Sequence, residues 1–334
     1  MRIIPPILEI CQDIKALCPD AYIFNHSNPM SRICTAVHHR YPELNFIGLC
    51  HEIASLERYL PQMLGVTFSD LELTAGGLNH FSCLLEARYR TSGRDAYPDI
   101  RKKALSFFEH VPASADYFAH MLETGHKVDT EGARTVDLTL VKAARQWTER
   151  TLFNFILENF NLLPITTDSH FGEYLGWGYD IADHKGILDF YRYYRSYLAA
   201  EQPEIKLELD ERAIPIIEGI IADTGYVEAA VNIPNRGYIQ ELPENIAVEV
   251  PATVSKKGVT GLQLAPLPPA YAGLLQNQVA VHNMTVEAVL TKSKQAVVQA
   301  LLVDPVVDQA RCLPELVDVM IDLQRPYLGY IENA

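Results

Sequence analysis

Ile7, Ile10, Ile14 and Leu17 recur at three- and four-residue intervals near the start of the chain, with Cys11 on the same stripe. This spacing predicts a helix over residues 6–17, ended by Pro19 and Asp20. The apolar run of residues 21–24 predicts a short buried parallel strand that opens into the polar turn Asn25-His26-Ser27-Asn28. Pro29 suits the first turn of a second helix reaching about His39, and residues 45–50 read as another strand. Helix, strand, helix, strand within about fifty residues is the rhythm of an α/β sheet with right-handed crossovers. Ligands of such sheets sit beyond the carboxyl ends of the strands, where Asn28 and Cys50 both fall.

Further along, residues 51–65 carry a helical pattern, and residues 72–75 and 81–89 read as strands on either side of a Gly76-Gly77 turn. From about residue 100 to residue 160 the pattern is mostly helical. Residues 162–179 are irregular and rich in glycine, aromatic and polar side chains. Residues 187–198 read as an aromatic helix and residues 214–222 as a buried apolar segment stopped by Gly225. Two strands are expected around Lys257-Gly258 within residues 248–267, and a long helical pattern covers residues 271–302.

Composition narrows the function classes. A chain of 334 residues can bury two domains, or one large layered domain with additions. The formal net charge of −14 argues against a nucleic-acid partner, which needs clustered Lys and Arg. No run of 18 apolar residues predicts a transmembrane helix, so no membrane partner is expected. Pro5, Pro6 and Glu9 interrupt the apolar start, which argues against a signal peptide and leaves the cytoplasm as the expected location. Six cysteines without C-x-x-C spacing make neither a disulfide framework nor a zinc ribbon. Cys11, Cys18, Cys34, Cys83 and Cys312 read as small buried apolar groups.

Cys50 and His80 stand apart. They pair one soft with one borderline ligand, thirty positions distant. Two protein ligands do not make a structural zinc site. An open site completed by substrate oxygens or water is the form a catalytic metal takes. From the pair alone, a buried thiol and a hydrogen-bonded core histidine is the commoner reading.

Asn28-Pro29-Met30, Gly48-Leu49-Cys50-His51-Glu52-Ile53 and Gly77-Leu78-Asn79-His80 resemble, in order and spacing, the hallmark segments of the family 4 glycoside hydrolases. Asp95-Ala96-Tyr97-Pro98, the segment from Asp168 to Tyr174, Val231-Asn232-Ile233-Pro234-Asn235 and Val248-Glu249-Val250-Pro251 extend the similarity over nearly the whole chain. The resemblance implies an incomplete doubly wound, Rossmann-like sheet in residues 1–50, the second half of a dinucleotide-binding domain. A metal- and substrate-binding α+β domain of lactate/malate dehydrogenase type would follow over residues 51–334. It also implies a glycosidase that departs from the usual pair of carboxylates. In this family NAD oxidises the sugar at C3, and a divalent metal, typically Mn2+, polarises the resulting ketone. The C2 proton is then removed and the leaving group eliminated, before water adds and the hydride returns. Stabilising the developing enolate is the task for which a metal is suited.

By motif match, Cys50 and His80 take the metal-ligand positions. Asn28 takes the position beside sugar and nicotinamide, and Asn79 that of a sugar contact. His51 stands where some relatives carry the acid that protonates the leaving oxygen, or else contacts a hydroxyl. Asp168 is expected as the base, with His170, Glu173 and Tyr174 as competitors and a capping residue as the alternative. The Cys-His-Glu sequence resembles members acting on unphosphorylated α-glucosides or uronides. Relatives are often homo-oligomers, although no stripe in this sequence demands assembly.

No glycine precedes Gly48, so the glycine-rich turn that cradles the NAD pyrophosphate is missing from the sequence. The expectation is an N-terminally truncated glycosidase, with reduced stability from an exposed apolar edge. Two alternatives stay open: a non-catalytic remnant that binds metal or sugar, and an NAD-dependent 2-hydroxy-acid dehydrogenase.

Overall fold

The computed structural model describes residues 1–50, 53–108, 151–166, 168–181 and 211–332. They form two units. One comprises Met1–Ile53, Thr74–Cys83 and Glu211–Ala334, the other Ala54–Leu73 and Leu84–Asp210.

The first unit is built on a five-stranded sheet. Strands β1 (Tyr22–Asn25) and β2 (Asn45–Gly48) pair in parallel, with Asn25 opposite Gly48. Helix α1 (Ile4–Leu17) precedes β1 and helix α2 (Met30–Arg40) connects it to β2, as the helix–strand rhythm predicts. The sheet then turns antiparallel. Strand β6 (Tyr226–Pro234) joins β2 through the pair Gly48 and Asn232, and β7 (Ala247–Ser255) and β8 (Gly258–Gly261) follow. Strand β6 is not foreseen from the sequence. The core between helices and sheet contains Ile4, Cys11, Met30, Ile33, Cys34, Val37, Phe46, Val286 and Val289. Thr35 ties α2 to β7, donating to the Ser31 carbonyl and accepting from the Ala247 amide.

Three expectations about burial need correction. On α1 the buried positions are Ile4 and Cys11, whereas Ile10 is 57% and Leu17 83% exposed. Ile7 and Ile14 of the predicted stripe pack against the core beside Cys11, so the stripe holds on one side only, because closely spaced isoleucines fit more than one helical phase. In helix α8 (Ala213–Ala222), Ile216 and Gly219 are buried while Ile214, Ile217 and Ile221 are exposed. Cys11, Cys34 and Cys83 are buried as expected, but Cys18 and Cys312 are exposed. The expected single long helical pattern near the end is two helices, α9 (Pro269–Thr291) and α10 (Lys294–Leu302). They break at Lys292, which is left-handed (φ 58), and Ser293 then caps α10 by accepting from the Ala296 amide.

The second unit holds most of a three-stranded sheet of β3 (Leu71–Gly76), β4 (Cys83–Tyr89) and β5 (Leu163–Pro164). Helices α3 (Leu60–Leu64), α4 (Tyr97–Phe108), α5 (Thr151–Phe160) and α7 (Gly178–Ile181) belong to this unit. Edge-to-face contacts of Phe108 with Tyr59 (5.5 Å) and Phe153 (6.2 Å) form an aromatic centre. The buried Tyr97 hydroxyl donates to the Leu84 carbonyl and accepts from the Leu163 amide. The expected helix over 187–198 lies outside the described residues.

Candidate active site

Two parallel strands end side by side, and their carboxyl-terminal loops carry the first two predicted site residues. The loop after β1 is shaped by Asn25, whose side chain bonds Ser27 through both its amide and its oxygen. The next residue but two, Asn28, is exposed, and its Oδ1 accepts the Met30 amide at 3.1 Å as α2 begins. After β2, the Leu49 amide donates to the Asn25 carbonyl and aligns the segment that delivers Cys50. Gly48 fits here because a β-carbon would stand 2.8 Å from both Cys34 Sγ and Met30 Sδ.

The third element is the turn from Gly77 to His80. Gly77 and Glu249 exchange backbone hydrogen bonds in both directions, at 3.1 and 2.9 Å. The Tyr271 hydroxyl lies between the Gly76 and Phe81 carbonyls, at 2.9 and 2.8 Å. Ser31 accepts the Asn79 amide at 3.0 Å, fastening the turn to the first coil of α2. His80 is left-handed (φ 66), a conformation that a non-glycine residue keeps only where its surroundings over-determine it.

This scaffold brings Cys50 Sγ to 3.8 Å from His80 Nε2. Both side chains are partly buried. That separates Cys50 from Cys34 and Cys83, whose thiols are wholly buried and pushed up in pKa by desolvation. Ligands held about 2.0–2.3 Å from one ion stand roughly 3–4 Å apart, so the pair has the spacing of two neighbours in a coordination sphere. Among the described residues no cluster of three His, Cys, Asp or Glu side chains offers a closed metal cage.

Sequence reasoning assigned no role to Glu249, Asn232, Ser31 or Tyr271. Glu249 lies 2% exposed on β7, and one carboxyl oxygen, Oε2, accepts from Asn79 Nδ2 (2.9 Å) and Asn232 Nδ2 (3.1 Å). Burial raises its pKa, opposed by hydrogen bonds from Asn79, Asn232 and Ser82. The available signal was an acid inside the apolar segment Val248-Glu249-Val250.

His51 lies outside the described residues. Asp168 heads the short helix α6 (Asp168–Gly172) in the second unit, and its side chain lies outside the described set. Of its competitors, Glu173 is exposed, Tyr174 is half-buried, and burial lowers the pKa of His170.

Residues 75–307 match the model of the family 4 glycosyl hydrolase C-terminal domain, and residues 1–66 match that of family 4 glycosyl hydrolase itself. The chain belongs to glycosyl hydrolase family 4. It is 58% identical to an alpha-glucosidase of Erwinia rhapontici over 99% of this chain and 73% of that protein. Identity is 26% to an alpha-galactosidase of Bacillus subtilis strain 168, over 97% of this chain and 69% of that one. Among solved structures, a 6-phospho-alpha-glucosidase from gut microorganisms, in complex with NAD and Mn2+, superposes with a TM-score of 0.70. That alignment is 20% identical and covers 99% of this chain and 72% of the other. At that identity the likeness establishes the fold, a Rossmann-like sheet with an α+β C-terminal part, as expected. No helix among the described residues of this family 4 hydrolase is long and apolar enough to cross a membrane.

Proposed function

We propose that this family 4 hydrolase cleaves unphosphorylated α-glycosides, α-glucosides or related uronides, by NAD-dependent oxidation, elimination, addition and reduction with a divalent metal such as Mn2+. The observation that carries the reading is the 3.8 Å approach of Cys50 and His80 beside the ends of two parallel strands. The 58% identity to an alpha-glucosidase supports the substrate class.

The donor set fits the metal: a thiol sulfur and an imidazole nitrogen that face each other at 3.8 Å. When bound, NAD takes and returns a hydride while the metal withdraws electrons from the sugar's oxygens. Cys50 and His80 hold the ion. Asn28, at the end of β1, is assigned to the sugar and the nicotinamide side, and Asn79 to the sugar. His51 donates a proton to the leaving oxygen or contacts a hydroxyl, and Asp168 removes the proton beside the oxidised carbon.

Hydrolysis of an aryl α-glucoside by the protein purified from its source cells tests this. Turnover is expected only with NAD and Mn2+ both present, and Cys50→Ala is expected to abolish it. Activity indifferent to NAD removes the redox route.

A further inference from the structure

Resting on the metal reading above, we propose that Glu249 is the positioning residue of the site. One of its carboxyl oxygens locks the turn bearing His80 to β6, the strand paired with the one that leads to Cys50.

The connection runs through named bonds. Glu249 holds the turn at two levels, by backbone exchange with Gly77 and by accepting from the Asn79 side chain. The same oxygen accepts from Asn232. Asn232 in turn is the register partner of Glu249 on one side and of Gly48 on the other, two residues before Cys50. A single acceptor thus joins the turn that carries His80 to the strand against which the Cys50 segment is registered.

Its placement is costly. β7 is flanked by β6 and β8, and Val248 and Val250 beside Glu249 are fully buried. A carboxyl there loses its hydration and is tolerated only through the hydrogen bonds it makes, whereas an aliphatic side chain would bury favourably. The acid therefore serves the two amides that donate to it. The adjoining His80 has a left-handed backbone that needs support from outside the turn. Outer partners that orient ligands typically govern metal affinity by about 10–100-fold.

Mn2+ titration calorimetry on the full chain and on Glu249→Gln, Glu249→Leu and Asn232→Ala, with thermal unfolding alongside, provides the test. Glutamine keeps an oxygen acceptor, so its Mn2+ affinity is expected within about 3-fold of the parent. Leucine is expected to weaken binding by about 10–100-fold in a protein that still unfolds cooperatively. Asn232→Ala, which cuts the tie toward β2 and leaves the acid in place, is expected to weaken it by about 10-fold, and it decides the matter if Glu249→Leu fails to fold. Parent-like Mn2+ binding in the folded leucine or Asn232→Ala variant overturns the proposal, as does glutamine binding as poorly as leucine. A parent chain that binds no Mn2+ sinks the metal reading instead. In that case 15N-histidine spectra of the metal-free proteins still decide on Glu249: a His80 signal that moves in the leucine variant and not in the glutamine variant supports positioning, and one unmoved in all overturns it.

Discussion

The Tyr271 hydroxyl occupies the space that a β-carbon on residue 77 would need. Gly77 is also at φ 150, a conformation that side-chain-bearing residues rarely adopt. The glycine and the tyrosine are therefore matched, one making room for the group that bonds the carbonyls of Gly76 and Phe81.

Gly77→Ala is expected to destabilise the protein by about 3 kcal/mol, combining backbone strain with overpacking. Tyr271→Phe is expected to cost about 1–3 kcal/mol through its unpaired buried carbonyls. Because the second change removes the atom that obstructs the first, the double variant should lose less than the two singles added together. Urea unfolding of the four proteins measures this coupling.

At position 80 the backbone and the side chain can be separated. Asparagine tolerates the left-handed region better than histidine does. His80→Asn is accordingly expected to keep the thermal midpoint of the parent while weakening Mn2+ binding at least about 10-fold. A drop in midpoint would show instead that the imidazole supports the turn itself.

Two ion pairs should behave differently. Arg212 reaches Glu228 through Nε and Nη2 at 2.8–3.1 Å, and the carboxylate, which also accepts from the Tyr226 hydroxyl at 3.0 Å, is only 4% exposed. Arg212→Ala leaves that buried carboxylate without its cation and is expected to cost about 1–3 kcal/mol. Lys256 and Asp223 are both well exposed, so Lys256→Ala should give no resolvable change in the same denaturation experiment.

Acid should weaken the fold before carboxylate titration is complete. Burial, helped by Arg236 and His39, lowers the pKa of His38 from 6.5 to about 3, and burial with Arg32 pushes His282 well below its ordinary value. Each imidazole is neutral in the folded chain but protonates in the unfolded chain below about 6.5, so the unfolded state binds more protons. Stability is then expected to fall as pH drops from about 6.5 toward 3, by about 1.4 kcal/mol per pH unit for each histidine at the steepest. His38→Leu should flatten the profile of unfolding free energy against pH, and an unchanged slope would show that His38 is already charged in the fold.

Much of this architecture was legible in the chain because the signals are local. The alternation that builds α1, β1, α2 and β2 repeats within single elements, and Lys257-Gly258 marks its own turn, with Gly258 at φ 97. β6 escaped notice because Pro234, Asn232 and Glu228 interrupt its apolar run, and one of its partners, β2, lies far off in the chain. The break after Thr291 carries neither glycine nor proline, only a left-handed lysine and a serine cap. At the site, Cys50 and His80 were recognisable from segment order, and the fold sets their Sγ and Nε2 atoms 3.8 Å apart. Glu249 stood out only as an acid in an apolar segment, since its role depends on Asn79, 170 positions away.

The pairing of Gly48 with Asn232 also dictates an order of events during synthesis. Roughly 180 residues must leave the ribosome after β2 before its antiparallel neighbour exists, and such distant closures are slow. The N-terminal helices and their two strands therefore wait with a sticky flank uncovered. Chaperone demand should be greatest in that interval, long before the last helix is made.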